Sequence, residues 1–365
     1  MLDGLTHEQQ MLQESTRRFV DEEMLPHEDI VDREGHVPIE LGRQIESRAK
    51  EVGLFAANLP ENVGGGGLDY TSMAVIEREF GRTSHALHAW VARPTELLLA
   101  TEGGQKEHYL DACVTGAKRE LFALSEPEAG SDIMSMKSHA KRDGDDWILN
   151  GSKHFISGPL MPDFAIVFAI TGHDETPRGP RPRITAFLVD VGMPGFDIQV
   201  GYNCVSYRGY LNFKLDFDNV RLSPDHILGE EGRGLELSGK WLGMGRIWVG
   251  ATCCGKAERL FEMATSWAAE RKQFGQAIGK FQATGFKLAD MAVELRAADL
   301  LVKDAIRKAD QAVMTDSDAA MVKLYCSEML NRVADNTVQI YGGMGLMDDL
   351  PVQRLWRDSR LERIW

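Results

Sequence analysis

The chain has 365 residues, enough for two or three domains around a sizeable core. A hydrophobic content of 43% and a charged content of 26% are ordinary for a soluble globular protein. With 41 Lys+Arg against 55 Asp+Glu the net charge is −14, which argues against nucleic acid or an anionic membrane as main partner.

The N-terminal stretch, MLDGLTHEQQ, has neither a basic nor an apolar signal region. No apolar run approaches the roughly 20 residues of a membrane span. A cytoplasmic protein is expected, or one of the mitochondrial matrix in a eukaryote. Cys113, Cys204, Cys253, Cys254 and Cys326 form no CxxC and no Cys/His cluster with metal spacing. They read as buried, unpaired thiols of a reducing compartment, with no metal.

Thr6-x-x-Gln9 is a capping-box pattern, and Leu12, Phe19 and Met24 follow on one helical face until Pro26. A second helix is predicted from Ile39 to Leu54. Pro60 to Asp69, with four consecutive glycines, is a loop. No strand precedes it and no GK[ST] follows, so it is read as a structural connection rather than a phosphate cradle. Residues 71–80, 87–102 and 104–110 complete a helical first third. Within it Arg93 is expected to pair with a nearby carboxylate such as Glu96.

From residue 121 the pattern changes. Asn150-Gly151 lies between the apolar-alternating runs 147–149 and 154–156, a strong signal for a hairpin turn. Asp143-Gly144 marks another tight turn, giving three strands in a meander. Residues 164–171, 184–191 and 214–222 alternate with period two. After Gly232-Arg233-Gly234 the pattern is helical to the end. Leu288, Met291, Leu295, Val302 and Ile306 share one face, as do Val322, Tyr325, Met329 and Val333. The predicted fold is α+β and mostly α. It has an N-terminal helical domain (1–120), a middle antiparallel, barrel-like β-domain (121–232) and a C-terminal four-helix bundle (233–365).

The loop Ser125-Glu126-Pro127-Glu128-Ala129-Gly130-Ser131-Asp132 is rich in small and hydroxylated residues suited to close approach of a ligand. Together with Asn150-Gly151-Ser152-Lys153-His154-Phe155-Ile156-Ser157, it resembles the acyl-CoA dehydrogenase family. Glu270-Arg271-Lys272-Gln273-Phe274-Gly275 and Gln339-Ile340-Tyr341-Gly342-Gly343-Met344-Gly345 extend the resemblance over nearly the whole chain. It implies an FAD enzyme that desaturates an acyl-CoA and passes electrons to an electron-transferring flavoprotein.

On that resemblance Phe122, Leu124, Ser125 and Gly130 lie at the isoalloxazine, and the Ser125 hydroxyl bonds its pyrimidine edge. Phe155, Ile156 and Ser157 match the segment whose hydroxyl reaches flavin N5. Ser131 lies beside the thioester arm and also counts among the flavin-side residues. Arg271, Gln273, Phe274 and Gln282 match the pyrophosphate and adenine side, where an Arg fork suits phosphate. Gln339, Gly342 and Gly343 match the adenosine half. These last elements serve a neighbouring subunit, which implies a homo-oligomer, a dimer or a tetramer. Gly243 and Arg246 match positions near CoA, although the family often carries Asp where Gly243 stands.

The carboxylate base, in the family, directly follows the position of Trp365. The alternative family position falls on Gly245, which cannot serve. Glu362 reads as a solvated helix residue. Two alternatives stand beside the dehydrogenase: an oxidase-type relative resembling nitroalkane oxidase, and a non-catalytic flavin- or CoA-binding homologue. Ala92–Glu96 and Gly243–Ile247 also look similar to the kinase-fused branch of the family, which handles hydroxylated acyl-CoAs.

Overall fold

The computed structural model describes residues 4–177 and 179–365, apart from the side chain of Lys240, so the first three residues of the N-terminal stretch lie outside it. The predicted capping box is present: Thr6 Oγ1 accepts from the Gln9 amide, and Gln9 Oε1 accepts from the Thr6 amide at 3.1 Å. It starts α1 (His7–Glu23), which buries Phe19 and Val20. Helices α2 (Glu28–Glu34) and α3 (Ile39–Glu51) follow. The glycine run then folds back on itself. A Cβ on Gly65 would stand 2.1 Å from the Leu59 carbonyl oxygen, and one on Gly66 2.9 Å from Ala57 Cα. These glycines serve close backbone packing, as the structural reading required.

Asp69 caps α4 (Tyr70–Phe80) through the Ser72 amide at 2.7 Å. The helix expected over 87–102 does not form as one piece. Instead a short α5 (His85–His88) and a 3₁₀ turn (Glu96–Ala100) flank extended residues around Pro94. Proline lacks an amide donor and disfavours a helical residue before it, so the helix stops there. Residues 104–110 become a π-helical turn at Lys106–Asp111 that runs into α6 (Ala112–Thr115).

Strands β1 (Glu120–Ala123), β2 (His139–Asp143), β3 (Asp146–Gly158), β4 (Phe164–Thr176), β5 (Gly179–Asp190), β6 (Phe196–Val200), β7 (Leu211–Leu222) and β8 (Ile227–Leu228) make one curled sheet. Its order is β6-β7-β3-β2-β4-β5-β8, with β1 beside β4. Most pairs are antiparallel, as predicted, but β1 and β2 both run parallel to β4. The turn at Asp143-Gly144 forms, with Gly144 at φ +66°.

Asn150-Gly151 is not a turn. Residues before and after it pair with the same strand, Leu149 with Val220 and Gly151 with Phe217, so β3 runs straight through with a register shift. Gly151 is needed for a different reason: its φ is +142°, and a Cβ there would meet Ser138 Oγ at 2.3 Å. The Asn150 side chain instead accepts from the Asn219 amide on β7 at 3.0 Å.

Helix α7 (Gly234–Glu270) is 37 residues long. A two-stranded turn, β9 (Lys272–Gln273) and β10 (Gln276–Ala277), leads into α8 (Gln282–Asp310) and α9 (Asp316–Tyr341), and α10 (Val352–Glu362) ends the bundle. Most of the two predicted apolar faces is buried, while Leu288 and Tyr325 are only half-buried. Helices α4 and α7 approach at glycines: a Cβ on Gly81 would lie 2.1 Å from the Thr252 carbonyl oxygen, and one on Gly255 1.8 Å from that of Arg78. One apolar core therefore spans both helical parts, and the sheet carries a core on each face. Cys204 is exposed, against expectation, whereas Cys113, Cys253, Cys254 and Cys326 are buried thiols. No helix of the described residues is long and apolar enough to cross a membrane.

Candidate functional site

Residues 124–131 are held by one buried cation. Lys153 lies on β3 in phase with Trp147 and Leu149, so its side chain points inward. Its Nζ donates to the Leu124 carbonyl at 3.0 Å and to Glu126 Oε1 at 2.8 Å. Glu126 also accepts from the amides of Lys137 (2.6 Å) and Ser138 (3.0 Å). Burial raises the Glu126 pKa, but these donors outweigh it and hold the carboxyl below its ordinary value. The Ser125 carbonyl accepts from the His154 amide at 3.0 Å, which ties the loop to the same strand.

This clamp brings most of the sheet-side candidates to one end of the sheet. Phe122 packs against Phe168 at 5.1 Å and against Trp241 of α7 at 4.5 Å between ring centroids. Leu124 is buried, Ser125 half-buried, and Gly130 and Ser131 are exposed. Ile156 is 2% exposed in the sheet core, so only its main chain can face a ligand. Ser157 Oγ accepts from Asn212 Nδ2 at 3.3 Å, and the Ser157 carbonyl accepts from the Tyr210 hydroxyl at 3.3 Å. Phe155 is 59% exposed at φ +56°, with Tyr202 at 5.3 Å. Arg246, near the start of α7, is exposed, and a Cβ on Gly243 would meet nothing within 4 Å.

The second group gathers elsewhere. Arg271, Gln273 and Phe274 form the exposed turn after α7, Gln282 opens α8, and Gln339, Gly342 and Gly343 end α9. Tyr341 stacks on Trp267 at 4.6 Å, which puts the ends of α9 and α7 side by side. Phe274 is 94% exposed at φ +50°. Trp241, beside Phe122, and Arg271 mark opposite ends of α7, about 45 Å apart at 1.5 Å per residue. Within one chain the two groups do not meet.

Two sequence readings are corrected here. Arg93 pairs with Glu77, not Glu96, and its guanidinium lies over Trp248 at 5.9 Å. Glu362 is not solvated: it is 0% exposed and bonded to Lys256 at 3.0 Å, the Tyr207 hydroxyl and Trp365 Nε1. The last turn of α10 packs inward, a placement its own sequence pattern does not reveal.

The residues present suit a flat aromatic cofactor with a charged tail. Exposed Phe155 at the sheet end, exposed Phe274 and Arg271 at the far end of α7, and glycines open to close approach at Gly130, Gly342 and Gly343 supply stacking faces, a cation and main-chain contacts.

Three family models cover the chain: the acyl-CoA dehydrogenase N-terminal domain matches residues 6–117, the middle domain 121–220 and the C-terminal domain 232–365. A 3-(aryl)acrylate reductase of Clostridium sporogenes is 34% identical over 99% of this chain and 95% of its own. The caffeyl-CoA reductase-Etf complex subunit CarC of Acetobacterium woodii is 33% identical over 99% and 94%. The structure of butyryl-CoA dehydrogenase from Megasphaera elsdenii superposes with a TM-score of 0.88 at 32% identity, covering 100% of this chain and 96% of that one.

Proposed function

The chain belongs to the acyl-CoA dehydrogenase family, FAD-dependent oxidoreductases acting on CH–CH groups, and from that premise we propose that it desaturates an acyl-CoA thioester between Cα and Cβ. Electrons pass on to an electron-transferring flavoprotein in this reading. When bound, FAD supplies the acceptor for the β-hydride while the α-proton leaves to a carboxylate.

The chain's residues take the remaining roles. Phe122, Leu124, Ser125 and Phe155 enclose the ring, and Ser157, steadied by Asn212, donates to its reacting edge. Ser131, Gly243 and Arg246 line the thioester and CoA side. The α-proton would leave to a carboxylate beside the thioester, and an apolar acyl chain packed against such a group would raise its proton affinity towards that task. Binding energy from the remote CoA holds the Cα–Cβ bond in place.

The observation that carries the assembly is the separation of about 45 Å between the Phe122 and Arg271 ends of α7. A dinucleotide is far too short to span it. Arg271, Gln273, Phe274 and Gln282 therefore serve the cofactor of a second copy, and the working unit is a dimer or tetramer.

Anaerobic titration of the FAD-loaded protein with acyl-CoAs of several lengths tests the reading. Bleaching of the flavin absorbance by one class of acyl-CoA is the expected result. Tight binding without bleaching by any acyl-CoA would overturn it. The aryl-acrylate and caffeyl-CoA reductases among the relatives favour a second reading, the same site run reductively on a conjugated acyl group. Oxidation of the reduced enzyme by an enoyl-CoA distinguishes that direction.

A further inference from the structure

Arg93 stands where the helix expected over 87–102 breaks, and the main chain around it is tied down. The Ala92 carbonyl accepts from the Ala56 amide at 3.0 Å and the Pro94 carbonyl from Asn58 Nδ2 at 2.9 Å. The Thr95 amide donates to Glu120 Oε1 at 2.8 Å. From this fixed strut the guanidinium reaches over Trp248 of α7, 5.9 Å from its centroid, and the Tyr70 ring lies 6.2 Å from the same indole. Nη1 donates to Oε1 of buried Glu77, whose other oxygen lies 3.7 Å from His88 Nε2. The Nε and Nη2 donors bond to no described residue, and the side chain is 33% exposed.

Arg93 also marks the far end of an open face of α7. Trp241, Gly245 and Trp248 follow one another at steps of four and three, so they share that face. Trp241 packs on Phe122 at the ring site, and Trp248 meets Arg93 about 10 Å further on at 1.5 Å per residue. Between them a Cβ on Gly245 would meet nothing within 4 Å, which leaves room beside the helix. The Arg93 charge is felt on the Ser157 side as well. Desolvation raises the hydroxyl of Tyr210, which donates to the Ser157 carbonyl, to about 12, and Arg93 opposes that rise. Desolvation lowers His85, stacked on Tyr207 at 4.4 Å, to about 3, and Arg93 adds to that fall.

The chemistry of this corner selects among acyl groups. A hydrocarbon end would strip water from the unpaired N–H donors of Arg93 and give nothing back. An anionic end would join Glu77 and Glu96 around one guanidinium. Burial already raises both carboxyls above their ordinary values, with the Arg93 charge opposing it, and a further carboxylate adds to that cost. A neutral oxygen accepts from the guanidinium fork and incurs neither penalty. Resting on the desaturation reading, we propose that Arg93 is a specificity-determining residue that binds an uncharged oxygen, hydroxyl or carbonyl, near the far end of an acyl group lying along α7 from Trp241 to Trp248.

The test uses the FAD-loaded protein and three matched acyl-CoA series: unsubstituted, oxygen-bearing (hydroxyl or oxo at successive carbons) and carboxylate-ended. Binding is read from perturbation of the flavin spectrum and turnover from its bleaching. The best oxygen-bearing member is expected to bind about tenfold to a hundredfold more tightly than its unsubstituted match, the scale of a charge-assisted bond, and the carboxylate-ended match more weakly. Arg93→Lys keeps a charge on Glu77 and loses the fork. The double variant Arg93→Met with Glu77→Met removes both charges, so neither variant leaves a buried carboxylate unpaired. Both are expected to keep flavin content and unfolding temperature while the preference drops below about threefold. Equal wild-type affinity for oxygen-bearing and unsubstituted chains would overturn the proposal, as would tightest binding of the carboxylate or a preference that survives in both variants. A preference in binding with no bleaching by any acyl-CoA would overturn the desaturation reading and leave the Arg93 assignment standing.

Discussion

Lys153 Nζ lies 2.8 Å from Glu126 Oε1 with both residues almost fully buried, and this pair joins β3, which carries Ser157 near its end, to the loop that begins at Ser125. Breaking one side of such a pair leaves a charge without compensation in a medium that solvates it poorly. Lys153→Met is expected to lower stability by about 3 kcal/mol, since Glu126 keeps two main-chain donors. The loop is also released, so the flavin-to-protein ratio falls. Absorbance ratios and thermal unfolding check both, and full flavin content in a destabilised variant would separate the clamp from cofactor binding.

Ser157→Ala tests the proposed donor to the reacting edge. Loss of one preorganised donor costs roughly a hundredfold to a thousandfold in rate. Asn212, which donates to Ser157 Oγ, is left facing a methyl group. The expected phenotype is slow bleaching at normal acyl-CoA affinity, read by stopped-flow absorbance.

Arg271→Ala and Phe274→Ala probe the shared cofactor. Both residues are exposed in the single chain, so neither change is expected to alter the stability of an isolated subunit by more than about 0.5 kcal/mol. FAD affinity should fall about tenfold or more for Arg271→Ala, the scale of a charge-assisted bond. Equilibrium dialysis of apoprotein with FAD gives the answer.

Phe286, Val293 and Leu300 are 64%, 69% and 50% exposed and repeat every seventh residue along one face of α8. An apolar stripe of that kind is expected to be covered in the assembly. Val293→Glu should shift the protein towards smaller species in sedimentation, and flavin should be lost in parallel if the cofactor is shared. Full flavin retention by a monomer would contradict the shared site.

Half-buried His85 and buried His88 set a dependence of stability on pH. Burial, with Lys256 and Arg93 opposing the charged form and Glu362 favouring it, pushes the His85 pKa down to about 3 from 6.5. Burial also holds His88 well below its ordinary value. The unfolded chain therefore binds protons that the folded one refuses between about pH 6.5 and 3. Stability from this source is complete above pH 6.5 and falls as pH drops through that window. His85→Phe should flatten the decline in unfolding temperature between pH 7 and 5 while keeping the ring on Tyr207. An unchanged slope would mean that other groups dominate.

What was legible in the sequence was local or periodic. The capping box at Thr6, the apolar faces of α8 and α9, the strand beginning at Phe164 and the 214–222 part of β7 follow from side-chain spacing within one element. Asn150-Gly151 misled because turn chemistry reads only four residues. Its meaning here comes from Ser138, just before β2, packed against Gly151 and from Asn219 on β7, partners 12 and more residues away. Glu362 was misread for a similar reason, since a helix-end carboxylate looks solvated until Lys256 and Tyr207 arrive from other elements. The inward phase of Lys153 could have been found, because it continues the alternation of Trp147 and Leu149. Nothing along the chain reports that Phe122 and Arg271 are far apart, since that distance depends on α7 running unbroken between them.

The reciprocal glycine contacts between α4 and α7 bear on how the molecule can move. With Gly81 against Thr252 and Gly255 against Arg78, the two helices touch main chain to main chain, and neither can rotate without colliding with a carbonyl. The helical parts thus form a stiff chassis with no hinge between them. Any opening then falls to segments outside this contact, of which the turn at Gly130 and Ser131 is exposed. Substrate exchange in such a machine resembles a latch lifting from a fixed frame rather than a jaw opening.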